Sequence, residues 1–146
     1  MMKLKLGERI YAKNHADFLN KTFGTHYKGW FRCTWNYQNN PYVWMVRFNN
    51  SVDGWTNTFI TDRVVLEEHE PGIFPGSIDE LYIEQFFKHD RLLFEIVEFN
   101  DPYYTRVYVF QGVFRYNWEA SDPYKTRYYY KIADEVEVVN GKPRLI

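Results

Sequence analysis

The chain has 146 residues and a formal net charge of −1, and this length suits a single domain that closes a hydrophobic core without disulfides or metal. The near-neutral charge argues against a protein that holds nucleic acid mainly by neutralising phosphates, because that mode needs a marked excess of Lys and Arg. The single cysteine, Cys33, excludes an internal disulfide and a cysteine-rich zinc site. We therefore expect one domain spanning residues 1–146.

The charges are unevenly distributed along the chain. Residues 1–61 carry eight Lys and Arg against three Asp and Glu, whereas residues 62–90 carry two against eight. The first third could form a basic surface and the next segment an acidic one, although solvated surface charge without a partner explains the same pattern. The opening Met-Met-Lys-Leu-Lys-Leu is too short an apolar run for a signal peptide, and no 18 apolar residues follow one another. We expect a soluble, cytoplasmic protein with no membrane partner.

The first elements in chain order are a short strand and a helix. Lys3–Tyr11 alternates apolar and polar residues and is typical of a short strand or an extended arm. Asn14 is a favourable N-cap and Gly24 a favourable stop, so the pattern predicts a helix over His15–Phe23.

A second group of elements consists of aromatic-rich strands. Trp30–Tyr37 alternates, with Phe31, Cys33, Trp35 and Tyr37 on one face and Trp30, Arg32, Thr34 and Asn36 on the other. Cys33 is therefore expected to be a buried, inert thiol. Tyr42–Phe48, Trp55–Ile60 and Arg63–Glu67 should follow as further strands of one meander.

A break at Pro71–Gly76 precedes a second predicted helix. Ser77-Ile-Asp-Glu80 has the spacing of a capping box, and apolar residues at helical intervals continue to about Lys88.

Three antiparallel strands are then predicted, over Arg91–Phe99, Thr105–Tyr116 and Arg127–Ile132, with a turn at Asn100-Asp101-Pro102. Gly112 fits a bend or bulge within its strand. Strands and two helices in this order indicate an α+β fold with a strongly curved mixed or antiparallel sheet. Closure into a small barrel is favoured over an open sheet, because closure removes the edges.

The chain contains no recognisable catalytic motif. It lacks the dinucleotide and phosphate-binding glycine loops, the nucleophile elbow and the HExxH zinc motif. The four histidines are scattered without ligand spacing. We therefore predict no catalytic residues, no metal and no cofactor, and a non-enzymatic binding module, with a small nuclease as a third possibility.

Two aromatic positions share their strand faces with polar residues. Core filling explains most of the aromatic residues, but Trp30 lies on the face of Arg32 and Asn36, and Trp55 on the face of Asn57. Indole and amide groups together can stack on a planar base and bond its edge. The predicted ligand-binding residues are Trp30, Arg32, Asn36, Trp55, Asn57 and Arg127, with Arg32 and Arg127 as donors to phosphate or a base edge.

The strand Tyr108-Val-Phe-Gln-Gly-Val-Phe-Arg-Tyr116, followed by Arg127-Tyr-Tyr-Tyr-Lys-Ile132, resembles the closing hairpin of PUA-like domains. The likeness covers roughly residues 28–138 and is greatest to the SRA and EVE branches, which recognise modified bases in nucleic acid. The resemblance implies a small barrel and a nucleic-acid ligand, with a modified or flipped base held in an aromatic pocket.

A different class of function is also compatible with the chain. A protein-interaction module, such as a phage or defence-associated inhibitor, could present its aromatic residues and the acidic segment 62–90 to a basic partner. Charge reversal at Glu67, Glu68 and Glu70 should then slow association.

Overall fold

A computed structural model of the protein describes residues 2–36, 41–72, 80–98, 102 and 105–146. The described helices are α1 (His15–Phe23) and α2 (Glu80–Phe87). The described strands are β1 (Met2–Lys5), β2 (Arg9–Ala12), β3 (Thr34–Trp35), β4 (Tyr42–Val46), β5 (Ser51–Val52), β6 (Trp55–Thr61), β7 (Val64–His69), β8 (Arg91–Glu98), β9 (Arg106–Tyr116), β10 (Thr126–Ala133), β11 (Glu135–Val139) and β12 (Lys142–Leu145).

Helix α1 has the predicted bounds and the predicted caps. The Asn14 side chain accepts a hydrogen bond from the Asp17 backbone N–H at 2.9 Å, which satisfies one of the free donors at the helix start. Gly24 adopts a left-handed conformation with φ 69°, and its N–H donates to the Asn20 carbonyl at 3.1 Å. The second predicted helix is present as α2, while its proposed capping residues Ser77–Asp79 lie outside the described residues.

The main sheet is mixed and strongly curved. Its strand order is β3-β4-β8-β9-β10-β7-β6-β5, and β2 pairs with the first half of β9. β4 and β8 run parallel, whereas the other described pairs in the sheet are antiparallel. The sheet curls into a half-barrel, which confirms the predicted α+β, PUA-like fold. A smaller antiparallel sheet has the order β1-β11-β12.

Gly112 lies at the predicted bulge. Leu93 pairs with Gly112 but the next residue, Phe94, pairs with Phe110, so β9 contains one extra residue at this point. Gly112 has φ 111°, and an added Cβ would stand 2.8 Å from the Ala133 carbonyl oxygen. The positive φ and the close carbonyl oxygen both require glycine here. The bulge bends β9, the longest strand of the sheet.

Both faces of the central strands are buried. Val43 and Met45 of β4 join the core under α1, whereas Trp44 and Val46 join a second core that includes Phe87 of α2. Because successive side chains point to opposite faces of a strand, one strand contributes to both cores. The second core forms one wall of the site described below.

Three local predictions need correction. Among the described residues 30–36, Thr34–Trp35 is the only strand, and Phe31 is 97% exposed and Cys33 is also exposed. β3 lies at the end of the sheet and pairs with β4 alone over two residues, so no ladder extends the strand. The predicted Lys3–Tyr11 strand is two strands that belong to different sheets, separated by a turn at Gly7 with φ 86°. Tyr37, Asn100 and Asp101 lie outside the described residues.

The predicted meander of the aromatic strands is correct in part: β3 pairs with β4 and β6 pairs with β7, but β4 and β6 are not neighbours. β4 pairs in parallel with β8, whereas β6 and β7 lie on the other side of β10. The alternation of a strand determines which side chains are buried, but not which strand becomes its neighbour. Strands β8, β9 and β10 lie between β4 and the pair β7 and β6. β8 is apolar along most of its length, as suits a strand covered on both faces.

Candidate functional site

A cavity of about 250 Å³ lies against the second core, among β4, β6, β7, β8, β10 and α2. We call it the Arg91 cavity. Its lining includes Trp44, Trp55, Asn57, Glu67, Arg91 and Arg127.

Three polar residues form a row across one wall of this cavity. Asn57 of β6 is paired with Glu67 of β7, and Glu67 is paired with Arg127 of β10. Directly paired residues in antiparallel strands project to the same face of the sheet, with their Cβ atoms close together. The sheet register therefore places an amide, a carboxylate and a guanidinium side by side.

Glu67 and Arg127 form a buried ion pair. Arg127 Nη1 donates to Glu67 Oε1 at 2.9 Å, and the two side chains are only 10% and 11% exposed. Arg127 Nε donates to the Pro123 carbonyl at 2.8 Å, and the Tyr129 hydroxyl donates to Glu67 Oε1 at 3.4 Å. These bonds hold the Glu67 carboxylate in one orientation at the cavity wall.

Aromatic rings pack beside the Glu67–Arg127 ion pair. The Arg127 guanidinium lies over the Trp55 ring at 3.8 Å from the centroid, a stacked cation–π geometry. His69 packs edge-on against Trp55 at 4.8 Å between centroids. Trp55, on β6, is thus held beside the polar row by the side chains of His69 on β7 and Arg127 on β10.

Two polar groups of the cavity have no partner. The Asn57 side-chain oxygen Oδ1 is buried, and so are Arg91 Nε and Nη2, and none of these atoms has a hydrogen-bond partner among the described residues. Buried polar groups are normally satisfied, and an unsatisfied one is costly. In a cavity, such groups mark positions where a ligand can bond.

A second, adjoining cavity of about 750 Å³ contains the other predicted residues, Trp30, Arg32 and Asn36. We call it the Trp30 cavity. It shares Cys33 and Asp53 with the Arg91 cavity. Trp30 is half-buried and packs on Tyr27 at 4.9 Å between ring centroids, whereas Arg32 and Asn36 are exposed.

His15 lines both cavities and is uncharged at neutral pH. Burial, reinforced by Arg106 and Arg47, lowers the pKa of His15 to about 4. Its Nδ1 lies 2.7 Å from the Tyr108 hydroxyl. Among the described residues no group of three His, Cys, Asp or Glu side chains could hold a metal ion, and no helix is long and apolar enough to cross a membrane.

Comparison with known protein families shows which family the chain belongs to. The family model for the SRA domain, the SET and RING associated domain, matches residues 2–138. The chain belongs to the SRA domain family. The resemblance stated from the sequence to the SRA branch of PUA-like domains is thereby confirmed.

A solved structure has the same fold as this SRA domain. The 5-hydroxymethylcytosine-specific restriction enzyme AbaSI matches with a TM-score of 0.64 and 20% sequence identity, over 97% of this chain and 42% of that chain. The SRA domain thus spans less than half of the enzyme chain that it matches. A search of curated proteins finds no match.

The six residues predicted from the sequence fall into two neighbouring groups in the SRA domain. Trp55, Asn57 and Arg127 line the Arg91 cavity, and the other three line the Trp30 cavity. Arg127 is buried and bonded to Glu67 and Pro123, a geometry that suits holding the wall of the cavity rather than reaching a phosphate.

Sequence reasoning missed three residues of the Arg91 cavity: Trp44, Glu67 and Arg91. Glu67 was grouped with its acidic neighbours as surface charge, whereas it is buried and paired. One signal was available, since Glu67 lies two residues after the buried Val65 and therefore on the same face of its strand. Nothing in the sequence distinguishes Arg91 from a surface arginine at a strand end.

Proposed function

We propose that this SRA domain binds DNA and holds a modified base, turned out of the duplex, in the Arg91 cavity. The observation that carries the proposal is the row Asn57–Glu67–Arg127 beside Trp55. It places oriented hydrogen-bonding groups and an aromatic ring at a recess of about 250 Å³. Proteins that take a base out of the stack hold it by this combination of edge bonding and ring contact.

The polar groups of the cavity suit the edge of a cytosine. The exocyclic amino group of cytosine is a donor, and Asn57 Oδ1 is a buried acceptor without a partner. Glu67 offers a second acceptor, whose orientation is held by Arg127 and Tyr129. In this proposal Arg127 is a positioning residue, and the half-buried Trp55 ring supplies apolar contact area. Trp44, 2% exposed, belongs to the core that supports the cavity.

The comparisons support the same ligand class. SRA family membership and the fold shared with a 5-hydroxymethylcytosine-specific restriction enzyme both favour a modified base in DNA. The Trp30 cavity adjoins the Arg91 cavity and carries the exposed Arg32 at its edge. We assign Arg32 to a phosphate contact beside the extruded base.

The test is a titration with duplex oligonucleotides that differ at a single cytosine, which is unmodified, methylated or hydroxymethylated. Trp55→Ala should weaken binding of the modified duplex by roughly 1–3 kcal/mol, the range for an aromatic ring against a base. Asn57→Ala should weaken binding of all three duplexes, because the amino group that every form of cytosine carries loses its acceptor.

Two control variants make the same kind of substitution at positions outside the cavity. Trp118→Ala removes a half-exposed indole that lines neither cavity, and Thr58→Ala changes the opposite face of β6. Both should bind as the unchanged protein does. Equal affinity for all three duplexes at low salt, with no effect of Trp55→Ala, would contradict the proposal.

The alternative prediction is a protein-interaction module for a basic partner. The acidic surface available to such a partner is smaller than the sequence implied. Glu68 and Glu70 are exposed, but Glu67 is turned into the cavity wall against Arg127. Absence of any DNA binding, together with slower partner association after charge reversal at Glu68 and Glu70, would favour this alternative.

A further inference from the structure

Arg91 is a buried cation without an anionic partner. It is 2% exposed, and no ion pair among the described residues includes it. Its guanidinium carbon lies 4.6 Å from the Phe86 ring centroid, 4.8 Å from Trp44 and 5.0 Å from Tyr129. Aromatic faces offset part of the charge, but they leave the in-plane N–H donors unsatisfied.

The two unsatisfied donors form a matched pair. Arg91 Nε and Nη2 are buried without a hydrogen-bond partner among the described residues, and these two nitrogens carry N–H groups on the same edge of the guanidinium plane. That edge matches the two oxygens of one carboxylate, in the bidentate geometry that makes Arg–carboxylate pairs both strong and specific.

The other charges of the Arg91 cavity leave this cation uncompensated. Glu67 is bonded to Arg127, and Arg47 is bonded to Glu98 at 2.7 Å. Asp53, the remaining carboxylate of the lining, is exposed to solvent and is therefore screened. A ligand that brings one buried negative charge would neutralise the cavity.

Building on the proposed function, we propose that Arg91 makes the SRA domain select a cytosine whose 5-substituent is a carboxylate. The amino group and the 5-substituent are neighbours on the edge of cytosine that faces the major groove of a duplex. Asn57 and Arg91 both line the cavity, and Asn57 Oδ1 and the Arg91 donor pair are buried without a partner among the described residues. The Asn57 oxygen accepts from the amino group, and Arg91 donates two bonds to the carboxylate. A hydroxymethyl oxygen is a weaker hydrogen-bond acceptor than a carboxylate, and a methyl group accepts no hydrogen bond.

The experiment measures dissociation constants for one duplex carrying cytosine, 5-methyl-, 5-hydroxymethyl- or 5-carboxylcytosine at the same position. The wild-type domain should bind the carboxyl form about 10-fold or more tightly than the hydroxymethyl form, since a good bidentate pair provides roughly 1–3 kcal/mol of discrimination. Arg91→Lys keeps the charge but lacks the paired edge, so this preference should fall to about 3-fold or less. Arg91→Met should abolish it.

Asn57→Ala serves as the comparison variant, because it should weaken binding of all four cytosine forms while the carboxyl preference remains. If Arg91→Met does not fold, which thermal unfolding will show, the wild-type ranking and Arg91→Lys still decide. A wild-type domain that prefers hydroxymethylcytosine or methylcytosine over carboxylcytosine would overturn the assignment of Arg91 and leave the proposed function standing. Equal binding of all four duplexes would overturn both.

Discussion

The buried pair between Glu67 and Arg127 is the interaction whose removal should have the largest measurable effect. Glu67→Gln keeps the shape of the side chain and an acceptor oxygen, but it removes the negative charge. Arg127, with its side chain only 10% exposed, then remains as an unpaired cation in a cavity that already contains the unpaired Arg91. Breaking a buried pair by removing one partner costs about 3–5 kcal/mol, so we expect a loss of about 3 kcal/mol for this isosteric change.

The structure offers a matched control in the pair Arg47–Glu98. Its N–O distance is 2.7 Å, close to the 2.9 Å of the buried pair, but the Glu98 side chain is 60% exposed. Glu98→Gln should therefore reduce the free energy of unfolding by less than about 1 kcal/mol. Urea unfolding of both variants under the same conditions provides the comparison.

A double variant tests whether the loss of stability comes from the unpaired charge or from the change in side-chain shape. Glu67→Gln combined with Arg127→Met leaves neither charge of the pair, so it should be more stable than the sum of the two single changes implies. If Glu67→Gln unfolds within about 1 kcal/mol of the wild type, or no more easily than Glu98→Gln, the description of this pair as desolvated is refuted.

Three further predictions follow from other parts of the molecule. Gly112→Ala should destabilise the domain by about 1–3 kcal/mol in the same urea assay, because its φ of 111° and the Ala133 carbonyl at 2.8 Å exclude a Cβ; a neutral result would show that the bulge can shift. Because the pKa of His15 is lowered to about 4, the unfolded chain takes up a proton on this residue at a higher pH than the folded protein does. The free energy of unfolding should therefore fall as the pH drops from about 6.5 to 4. The expected loss is up to about 2 kcal/mol after allowance for solvent screening of this half-buried ring. His15→Gln should remove this part of the pH slope. Arg32→Ala should weaken binding to all duplexes alike and reduce the slope of log affinity against log salt by about one unit, whereas a loss confined to modified duplexes would place Arg32 at the base.

The proposed site lies where the sheet register brings distant segments together. Asn57, Glu67 and Arg127 come from three strands, and β10 follows β7 in sequence only after α2, β8 and β9. Any change that shifts the register of β7 against β10 by one residue would turn Glu67 to the other face. The function therefore depends on the pairing of the whole half-barrel as well as on the cavity residues.

Some features of the protein follow from the sequence alone. The helix His15–Phe23 was predicted at both ends, because the Asn14 cap and the Gly24 stop act through backbone groups within a few residues. The strands β8, β9 and β10 and the bulge at Gly112 were predicted for the same reason, since alternation and a missing side chain are local properties. The α+β class and the family resemblance follow from the order of these elements.

The tertiary structure alone decided which of the strands distant in sequence are neighbours and which charges are buried. Alternation places Trp30 with Arg32 on one strand face, but the short ladder of β3 leaves this segment at the end of the sheet. Arg91 and Glu67 resemble surface residues in the sequence, and only packing among distant rings and strands desolvates them. Burial and pairing are sums over contacts from the entire chain, so no window of residues around Arg91 could predict that two of its donors are buried without a partner.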